Sequence, residues 1–327
     1  MKPWLIEVLA CPACGGGLSL RGEPEADGEV VSGALSCEAC RREFPILGGI
    51  PRFGGLAGQS EDAAKTVARF GWQWKEFREH LPEYRESFLD WMKPLGESDF
   101  QGATVLDAGC GMGRFAGVAA SLHARAVVGV DLSESVEVAQ EIACARDNLH
   151  VVQADLLRLP FRRAFDLVYT LGVLHHLPDG EDGFTSLLRC VRPGGRVHVW
   201  VYGHEGNEWL LRWVDPVRRG FTSRLPPPLL KILAWLVAAP LHLALLALYR
   251  NAGRWPFRLP YAPYLTWLSR FPFRHTQQVV FDHLGAPIAH YYRREELAAW
   301  FERAGLHDVQ ITSRNGNSWR ATAKVRT

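Results

Sequence analysis

A regular alternation of apolar β-type runs with amphipathic helical stretches, between residues 103 and 201, most constrains how this chain can fold. The runs predicted to be buried strands are "TVLD", "AVVGVD", "VVQAD", "FDLVYTLG" and "RVHVWVYG". Strands that alternate with helices form a parallel sheet that is covered by helices on both faces. Such a sheet binds its ligand at the carboxyl ends of the strands. The pattern therefore predicts an α/β core with a ligand crevice at that edge.

The first predicted strand runs into a glycine-rich turn, "LDAGCGMGR" at residues 106–114. Gly111, Gly113 and Ala116 match the G-x-G-x-x-G/A spacing of dinucleotide-binding folds, although that pattern alone is weak. Asp107 argues against a diphosphate, because like charges about 4 Å apart repel by about 4 kcal/mol at an effective dielectric constant of about 20. An ammonium group would be attracted instead, and backbone N–H groups at the helix start can bind a carboxylate. The turn therefore favours the amino-acid end of a ligand.

Two more acids end the second and third predicted strands. Asp131 follows Gly113 by 18 residues, where a carboxylate can accept hydrogen bonds from both hydroxyls of a ribose. Asp155 could accept from the amine of an adenine base, or it could simply cap the helix that follows. An ammonium group, a ribose and an adenine amine in this order predict S-adenosylmethionine.

Four of the seven cysteines form two C-x-x-C pairs, Cys11 with Cys14 and Cys37 with Cys40. Each pair places two thiolates on one turn, and two such turns make a tetrahedral Zn²⁺ site. Because sulfur fills all four positions, no coordination position is left for a catalytic water, and we expect a structural zinc. Free or redox-active cysteines are the alternative. We predict a zinc ribbon over residues 1–56, with a core too small to fold without metal, and a linker at residues 54–60.

In order and spacing these motifs resemble those of class I S-adenosylmethionine-dependent methyltransferases over about residues 103–203, and the cysteine segment resembles the zinc ribbon of a bacterial branch of that family. The resemblance implies a Rossmann-like, seven-stranded sheet with its last strand antiparallel, built from residues 61–203 and 284–327. It also suggests that Trp72 and Trp74 cover the cofactor, with packing in the core as the alternative for both. The cofactor-binding residues that it implies are Asp107, Ala108, Gly109, Gly111, Gly113, Arg114, Asp131, Leu132, Ala154, Asp155, Leu156 and Leu171.

Residues 204–283 interrupt the predicted sheet as a helical insertion that contains the apolar run "PLLKILAWLVAAPLHLALLALY". The run is about long enough to cross a bilayer. Topology argues against a single crossing, because the strands on both sides of the insertion must join one sheet. Pro240 predicts two short helices, since an interior proline costs a helix about 3 kcal/mol. A lid over the acceptor, a homodimer interface and peripheral membrane contact through residues 226–250 are the roles left open.

Charge guides the choice of acceptor. The insertion holds ten Arg or Lys and four acids, a net +6, whereas the whole chain carries +2. Bases interleaved with tryptophan favour a small-molecule or lipid-linked acceptor, such as a glycolipid or polysaccharide precursor, although a solvated rim is the alternative. Residues 1–53 hold five bases and seven acids, which disfavours a nucleic-acid partner because a ribbon that binds phosphates should be basic. An RNA methyltransferase that docks through the ribbon is the alternative function, and a non-catalytic cofactor-binding partner is a third.

His175 and His176 follow the fourth predicted strand and are the candidate general bases. A base is needed only if the acceptor carries a proton of high pKa, and structural support of the turn is the other role for this pair. The N-terminal segment is unlike a secretory signal, since its short apolar stretch is broken by Glu7 and followed at once by cysteines. We therefore expect a cytoplasmic protein, with membrane-peripheral attachment as an option.

Overall fold

The computed structural model describes residues 1–23, 25, 28–54, 60–252 and 259–326. Its N-terminal domain is an antiparallel sheet in which the strands follow their order in the chain. Most of the predicted linker at 54–60 lies outside the described residues. The same is true of three basic or aromatic residues of the insertion: Arg254, Trp255 and Arg258. The elements of this domain are α1 (Leu5–Val8), β1 (Leu18–Arg21), β2 (Ser32–Cys37), β3 (Glu43–Leu47) and β4 (Ile50–Pro51).

The N-terminal domain shares one hydrophobic core with the rest of the chain. Leu9 forms an antiparallel bridge with Phe161, and Arg52 forms a parallel bridge with Gln153. The Arg52 Nη1 atom also donates to the Gln153 Oε1 atom at 2.8 Å. Leu35, which is fully buried, belongs to the same apolar cluster as the larger domain's own core. Loss of the N-terminal fold would therefore expose apolar surface on the larger domain.

The larger domain contains the predicted seven-stranded sheet, ordered β10-β11-β9-β8-β5-β6-β7. Strands β5 to β9 run parallel, whereas β11 is antiparallel to β9 and pairs Ser318 with Tyr202. The predicted fold class is confirmed. Up to the end of β9 its elements are α2 (Glu61–Glu76), α3 (Glu83–Met92), β5 (Thr104–Ala108), α4 (Arg114–Ser121), β6 (Ala126–Asp131), α5 (Val136–Ala143), β7 (Leu149–Gln153), β8 (Phe165–Leu171), α6 (Gly180–Leu188) and β9 (Val191–Tyr202).

The parallel strands lack polar alternation because helices cover both faces of the sheet. All five residues of β5 are buried, and so are the first five of β6. Strands buried on both faces have near-continuous apolar sequences, which explains why these runs were recognisable. The elements after β9 are α7 (Asp215–Gly220), α8 (Pro227–Ala244), α9 (Ala262–Leu268), α10 (Phe273–Gly285), α11 (Arg294–Arg303), β10 (His307–Arg314) and β11 (Ser318–Lys324).

The apolar run of the insertion is one helix, and the prediction of two short helices was wrong. Helix α8 passes through Pro240 without a break and continues into a π-helical turn, Leu245–Tyr249. One buried row extends along both sides of the proline, and it comprises Leu230, Ala234, Ala238, Leu245 and Tyr249. The first three residues of the row pack in a cluster with Phe281 of α10. Tertiary packing on both sides of Pro240 therefore offsets the helix-breaking tendency of the proline.

Candidate active site

A cavity of about 370 Å³ lies at the carboxyl ends of the parallel strands, where the sequence places the cofactor. Six of the predicted cofactor-binding residues line it: Gly109, Asp131, Leu132, Asp155, Leu156 and Leu171. The other six, Asp107, Ala108, Gly111, Gly113, Arg114 and Ala154, are not among its lining residues. Residues that sequence reasoning did not assign to the cofactor, including Ser133 and Val173, complete the wall. The structure thus brings half of the predicted set to one cavity.

The glycines of the 106–114 turn are required by the packing of the chain itself. Gly109 has φ +84°, and a Cβ atom there would lie 2.4 Å from Cγ2 of Val173. At Gly113, with φ +81°, it would lie 2.9 Å from Cβ of Ala139. Sequence reasoning assigned these glycines to a close ligand approach. In the structure, contacts with neighbouring side chains are enough to exclude a larger residue at Gly109 and Gly113.

Asp107 does not line the cavity at the carboxyl ends of the strands, and its predicted pairing with an ammonium group stays a prediction. Its side chain is buried, with 3% of the residue exposed, and its Oδ2 atom has no hydrogen-bond partner among the described residues. Burial raises the pKa of Asp107 to about 7. A buried carboxylate oxygen without a partner is costly, and a cationic group would relieve that cost. This observation fits the amino-acid end of S-adenosylmethionine.

The two other strand-end acids have local hydrogen-bond partners. The Oδ2 atom of Asp131 accepts from the backbone N–H of Gly111 at 2.9 Å, and its Oδ1 atom accepts from the N–H of Ser133 at 2.8 Å. Asp131 therefore ties the glycine turn to β6. The Oδ1 atom of Asp155 accepts from the N–H of Leu157 at 3.0 Å, so the capping role left open by the sequence is present. Both carboxylates line the cavity, where their contacts to a cofactor stay predictions.

The four cysteines converge as the spacing predicts. Their sulfur atoms all lie within 4.8 Å of one another, with Cys11 to Cys40 at 3.6 Å and Cys14 to Cys37 at 3.5 Å. Sulfur atoms around a tetrahedral Zn²⁺, with Zn–S distances of about 2.3 Å, are separated by about 3.8 Å. The pKa of the Cys37 thiol is lowered to about 6, mainly because the backbone N–H of Cys40 donates to its sulfur. The donor set fits a structural zinc ion.

A second cavity, of about 190 Å³, adjoins the first one. We call it the aromatic cavity, because tryptophan, tyrosine and phenylalanine contribute thirteen of its 29 lining residues. Four residues line both cavities: Phe70, Trp74, Leu171 and Gly172. Aromatic residues from α3, β9 and the insertion complete it, including Trp91, Trp200, Tyr202, Tyr264 and Trp267. Sequence analysis missed this cavity because its walls come from segments that are distant in the chain.

Seven buried polar atoms around the aromatic cavity have no hydrogen-bond partner in the part of the chain that the structure describes. More than 90% of buried polar groups in proteins are satisfied, so such a concentration indicates a ligand site. The atoms are Gln73 Oε1, Trp91 Nε1, Arg114 Nη1, Trp200 Nε1, His275 Nε2, Asp282 Oδ1 and Arg314 Nη2. Donors and acceptors are both present, so the expected ligand carries both kinds of group.

The two candidate histidines differ in their position relative to the cavities. His176 lines the larger cavity, and its Nδ1 atom lies 2.6 Å from the carbonyl oxygen of Ile288. His175 is fully buried, lines neither cavity and stacks on Tyr202 with ring centroids 3.8 Å apart. Burial lowers the pKa of His176 to about 4 and lowers that of His175 as well. Their contacts match the structural alternative, whereas a chemical role stays a prediction.

The two tryptophans that were expected to cover the cofactor lie in different places. Trp74 lines both cavities, and the Arg114 guanidinium lies 4.7 Å from the centre of its ring. Trp72 stacks on Phe281 of α10 with ring centroids 5.4 Å apart, and it lines neither cavity. Only Trp74 is therefore placed to contact a ligand.

Comparison with known families agrees with the fold and with a zinc-binding N-terminal domain. Residues 106–199 match the family of methyltransferase domains, and residues 2–49 match the Trm112p-like proteins. The chain therefore carries an S-adenosylmethionine-dependent methyltransferase domain preceded by a Trm112-like zinc-binding domain.

Several known proteins resemble parts of this chain. A tRNA (carboxymethyluridine(34)-5-O)-methyltransferase of Arabidopsis thaliana is 33% identical over 134 residues, 38% of this chain and 31% of that protein. A tRNA U34 carboxymethyltransferase of Pseudoalteromonas translucida is 31% identical over 147 residues, 44% of this chain and 40% of that protein. The structure of a SAM dependent methyltransferase from Aquifex aeolicus superposes with a TM-score of 0.44 at 14% identity, covering 77% of this chain and 97% of that one.

The chain spans less than half the length of these two curated relatives.

Proposed function

We propose that this protein methylates an acceptor whose reacting group lies in the aromatic cavity. The observation that carries the proposal is the wall shared by the two cavities, formed by Phe70, Trp74, Leu171 and Gly172. Because these residues line both cavities, a cofactor in the larger cavity and an acceptor in the aromatic cavity would lie next to each other where the cavities adjoin. Methyl transfer needs this direct approach, because it is an in-line displacement at carbon.

When bound, S-adenosylmethionine supplies a methyl group on a positively charged sulfur, which is a good leaving group. The protein then contributes to catalysis mainly by holding and orienting the acceptor. Positioning of two reactants can contribute about 7–11 kcal/mol in well-oriented systems. The rings of Trp91 and Trp200 stack with centroids 4.3 Å apart and form a rigid part of the cavity wall. Such walls restrict the acceptor and exclude water.

Asp282 is the residue best placed to accept a proton from the acceptor. Its Oδ2 atom accepts a hydrogen bond from the Tyr202 hydroxyl at 3.0 Å, and its Oδ1 atom has no partner within the described ranges. Burial raises the pKa of Asp282. A carboxylate with a raised pKa in an aromatic site suits a general base that takes the proton of a hydroxyl group. We infer that the acceptor donates such a hydroxyl to Asp282.

An RNA base is one candidate acceptor, and the comparisons favour it. The two curated relatives carry names that specify tRNA position 34, and one name specifies methylation at a 5-O atom. A nucleobase is planar and carries hydrogen-bond donors and acceptors, as the polar atoms of the aromatic cavity require. Entry of a base would need the nucleotide to be turned out of its stack.

An amphipathic small molecule is the second candidate, and the surface near the cavity favours it. Trp209 and Tyr261 line the aromatic cavity, and each is 45% exposed. Several bases of the insertion pair with acids and are therefore not free for phosphates: Lys231 with Glu76, Arg274 with Glu79, and Arg270 with Glu86. An apolar entrance near which Lys231, Arg270 and Arg274 are already paired with acids suits an apolar acceptor better than a polyanion.

Transfer of label from S-adenosylmethionine tests the proposal. Zinc-loaded protein is incubated with methyl-labelled cofactor and either purified total RNA or a solvent extract of small molecules and lipids. Label in RNA supports the first candidate, and label in the extract supports the second. Absence of label from both, together with no calorimetric binding of S-adenosylhomocysteine, would refute the proposed activity.

The proposed role of Asp282 has its own test. Asp282→Asn should lower kcat by about 100-fold or more, because general bases contribute about 10²–10⁴ in rate. It should also remove the increase of the rate with pH that the wild-type carboxyl produces as it ionises. S-Adenosylhomocysteine should bind the variant unchanged. Asp147→Asn, at an exposed position in the turn before β7, is the matched control. An unchanged kcat or pH profile for Asp282→Asn would contradict the role.

A further inference from the structure

The long helix of the insertion exposes an apolar stripe, which we define as Leu229, Ile232, Leu236 and Leu243. These residues are 54%, 58%, 57% and 68% exposed. Their spacings of three, four and seven place them on one face of α8, opposite the row that packs on α10. Only 22% of the most apolar part of this helix is buried. A core helix of a soluble protein would have this face covered.

The stripe belongs to a larger concentration of exposed apolar side chains. Among the described residues, fifteen large apolar side chains are exposed, and twelve of them lie between Trp209 and Tyr261. The surface of a soluble monomer rarely groups its apolar residues in this way, and such groups mark interaction sites. The concentration of exposed apolar side chains therefore indicates that the insertion forms an interaction surface.

Charge around the stripe indicates what it contacts. Arg224 and Arg250 are exposed just before and just after the helix. The sequence contains no Asp or Glu from residue 216 to residue 281. Asp215, the nearest acid before that stretch, pairs with Arg219 at 2.7 Å and also with Arg218. A second copy of the chain would bring two cationic rims together, whereas an anionic lipid surface complements the rim.

The position of the helix in the fold excludes a transmembrane orientation. Strand β9 precedes the insertion, β11 follows it, and the two pair directly in one sheet. A single membrane crossing would separate them. An apolar helix with basic ends that cannot cross a bilayer can still lie in the plane of its surface.

We propose that the apolar stripe, flanked by Arg224 and Arg250, binds the surface of an anionic membrane. The π-helical turn after α8 packs with Tyr264 and Leu265, and these two residues also line the aromatic cavity. Membrane attachment therefore brings the cavity entrance close to the lipid. The inference goes beyond the proposed methyl transfer. Of the two candidate acceptors, it favours the second one, the amphipathic small molecule.

Vesicle flotation tests this surface. The full-length, zinc-loaded protein is mixed with vesicles of phosphatidylcholine, either alone or with phosphatidylglycerol. The test variant is the pair Ile232→Asp and Leu236→Asp. The matched control is the pair Leu47→Asp and Val309→Asp, whose side chains are 51% and 40% exposed on other parts of the molecule. S-Adenosylhomocysteine binding and light scattering are measured for each protein, so that folding, cofactor binding and oligomeric state are known.

We expect the wild type and the control pair to float with the anionic vesicles. Both proteins should bind more weakly to neutral vesicles, and more weakly to anionic vesicles at high salt. The stripe pair should lose at least tenfold in partitioning while S-adenosylhomocysteine binding is kept. Equal loss in both pairs, or no flotation of the wild type, would overturn the proposal. A wild-type dimer that the stripe pair dissociates would also overturn it, in favour of a second copy. Cofactor binding separates each of these results from failure of the methyltransferase activity.

Discussion

Replacement of Asp107 by Asn tests the electrostatic basis of cofactor binding. A buried carboxylate about 4 Å from an ammonium group gains about 4 kcal/mol at an effective dielectric constant of about 20. Asn keeps one neutral hydrogen bond, worth about 1 kcal/mol. The net loss of about 3 kcal/mol corresponds to about a 100-fold weaker binding of S-adenosylhomocysteine at pH 8, where the wild-type carboxyl is ionised.

The raised pKa of Asp107 adds a second, independent signature. With a pKa of about 7 in the free protein, the carboxyl must lose a proton before it can pair with the ammonium group. Wild-type affinity should therefore fall as the pH drops below 7, to about one-hundredth of its pH 8 value at pH 5. Asp107→Asn has no such proton to lose, so its weaker affinity should vary much less with pH.

As the pH rises, the stability of the fold falls while the affinity for S-adenosylhomocysteine increases. Burial raises the pKa of Asp107 above the unfolded value of about 3.9, so the chain loses folding free energy as the pH rises from about 4 to about 7. The cost is absent below the unfolded pKa and complete above the folded one. Asp107→Asn should therefore melt no lower than the wild type at pH 8.

Isothermal titration calorimetry from pH 5 to pH 8, with melting curves for both proteins, measures all three effects. Asp147→Asn, at an exposed position in the turn before β7, serves as the charge-loss control and should match the wild type. Affinity of Asp107→Asn within threefold of the wild type, or a wild-type pH slope retained in the variant, would refute the assignment of Asp107 to the ammonium group.

Two further substitutions test the zinc site and the glycine turn. Cys37→Ser should release zinc and lower the melting temperature of the whole chain, because the N-terminal domain shares its core with the larger domain; full zinc content by mass spectrometry, or an unchanged melting curve, would contradict this. Gly109→Ala should abolish S-adenosylhomocysteine binding and destabilise the fold, since its Cβ would lie 2.4 Å from a methyl group of Val173. Gly102→Ala has a similar positive φ, +68°, and nothing within 4 Å of the added Cβ. Equal effects at both glycines would show that backbone strain, and not the close contact, matters.

The sequence was most informative where one local pattern has one physical solution. Continuous apolar runs separated by helices allow only a parallel sheet covered on both faces, and β5 to β9 form that sheet. Two C-x-x-C turns bring four thiols together with little help from the rest of the chain, and the sulfur atoms of Cys11, Cys14, Cys37 and Cys40 do meet.

Local patterns failed where distant segments decide the outcome. Pro240 predicted a break in the helix, yet packing of Leu230 and Leu245 on either side keeps α8 continuous into the following turn. His175 followed the right strand, but its ring is buried behind Tyr202. In each case a contact that the sequence cannot specify decided the result.

The sequence by itself determined the sheet, the cysteine cluster and the edge of the sheet at which the larger cavity lies, because periodicity and spacing act over a few residues. Only the tertiary structure decided the aromatic cavity, the position of Asp282 and the exposure of the apolar stripe. Trp91 and Asp282 are 191 residues apart in the chain and line one cavity. Which face of a helix stays uncovered depends on what the rest of the chain packs against it, and that is a property of the whole fold.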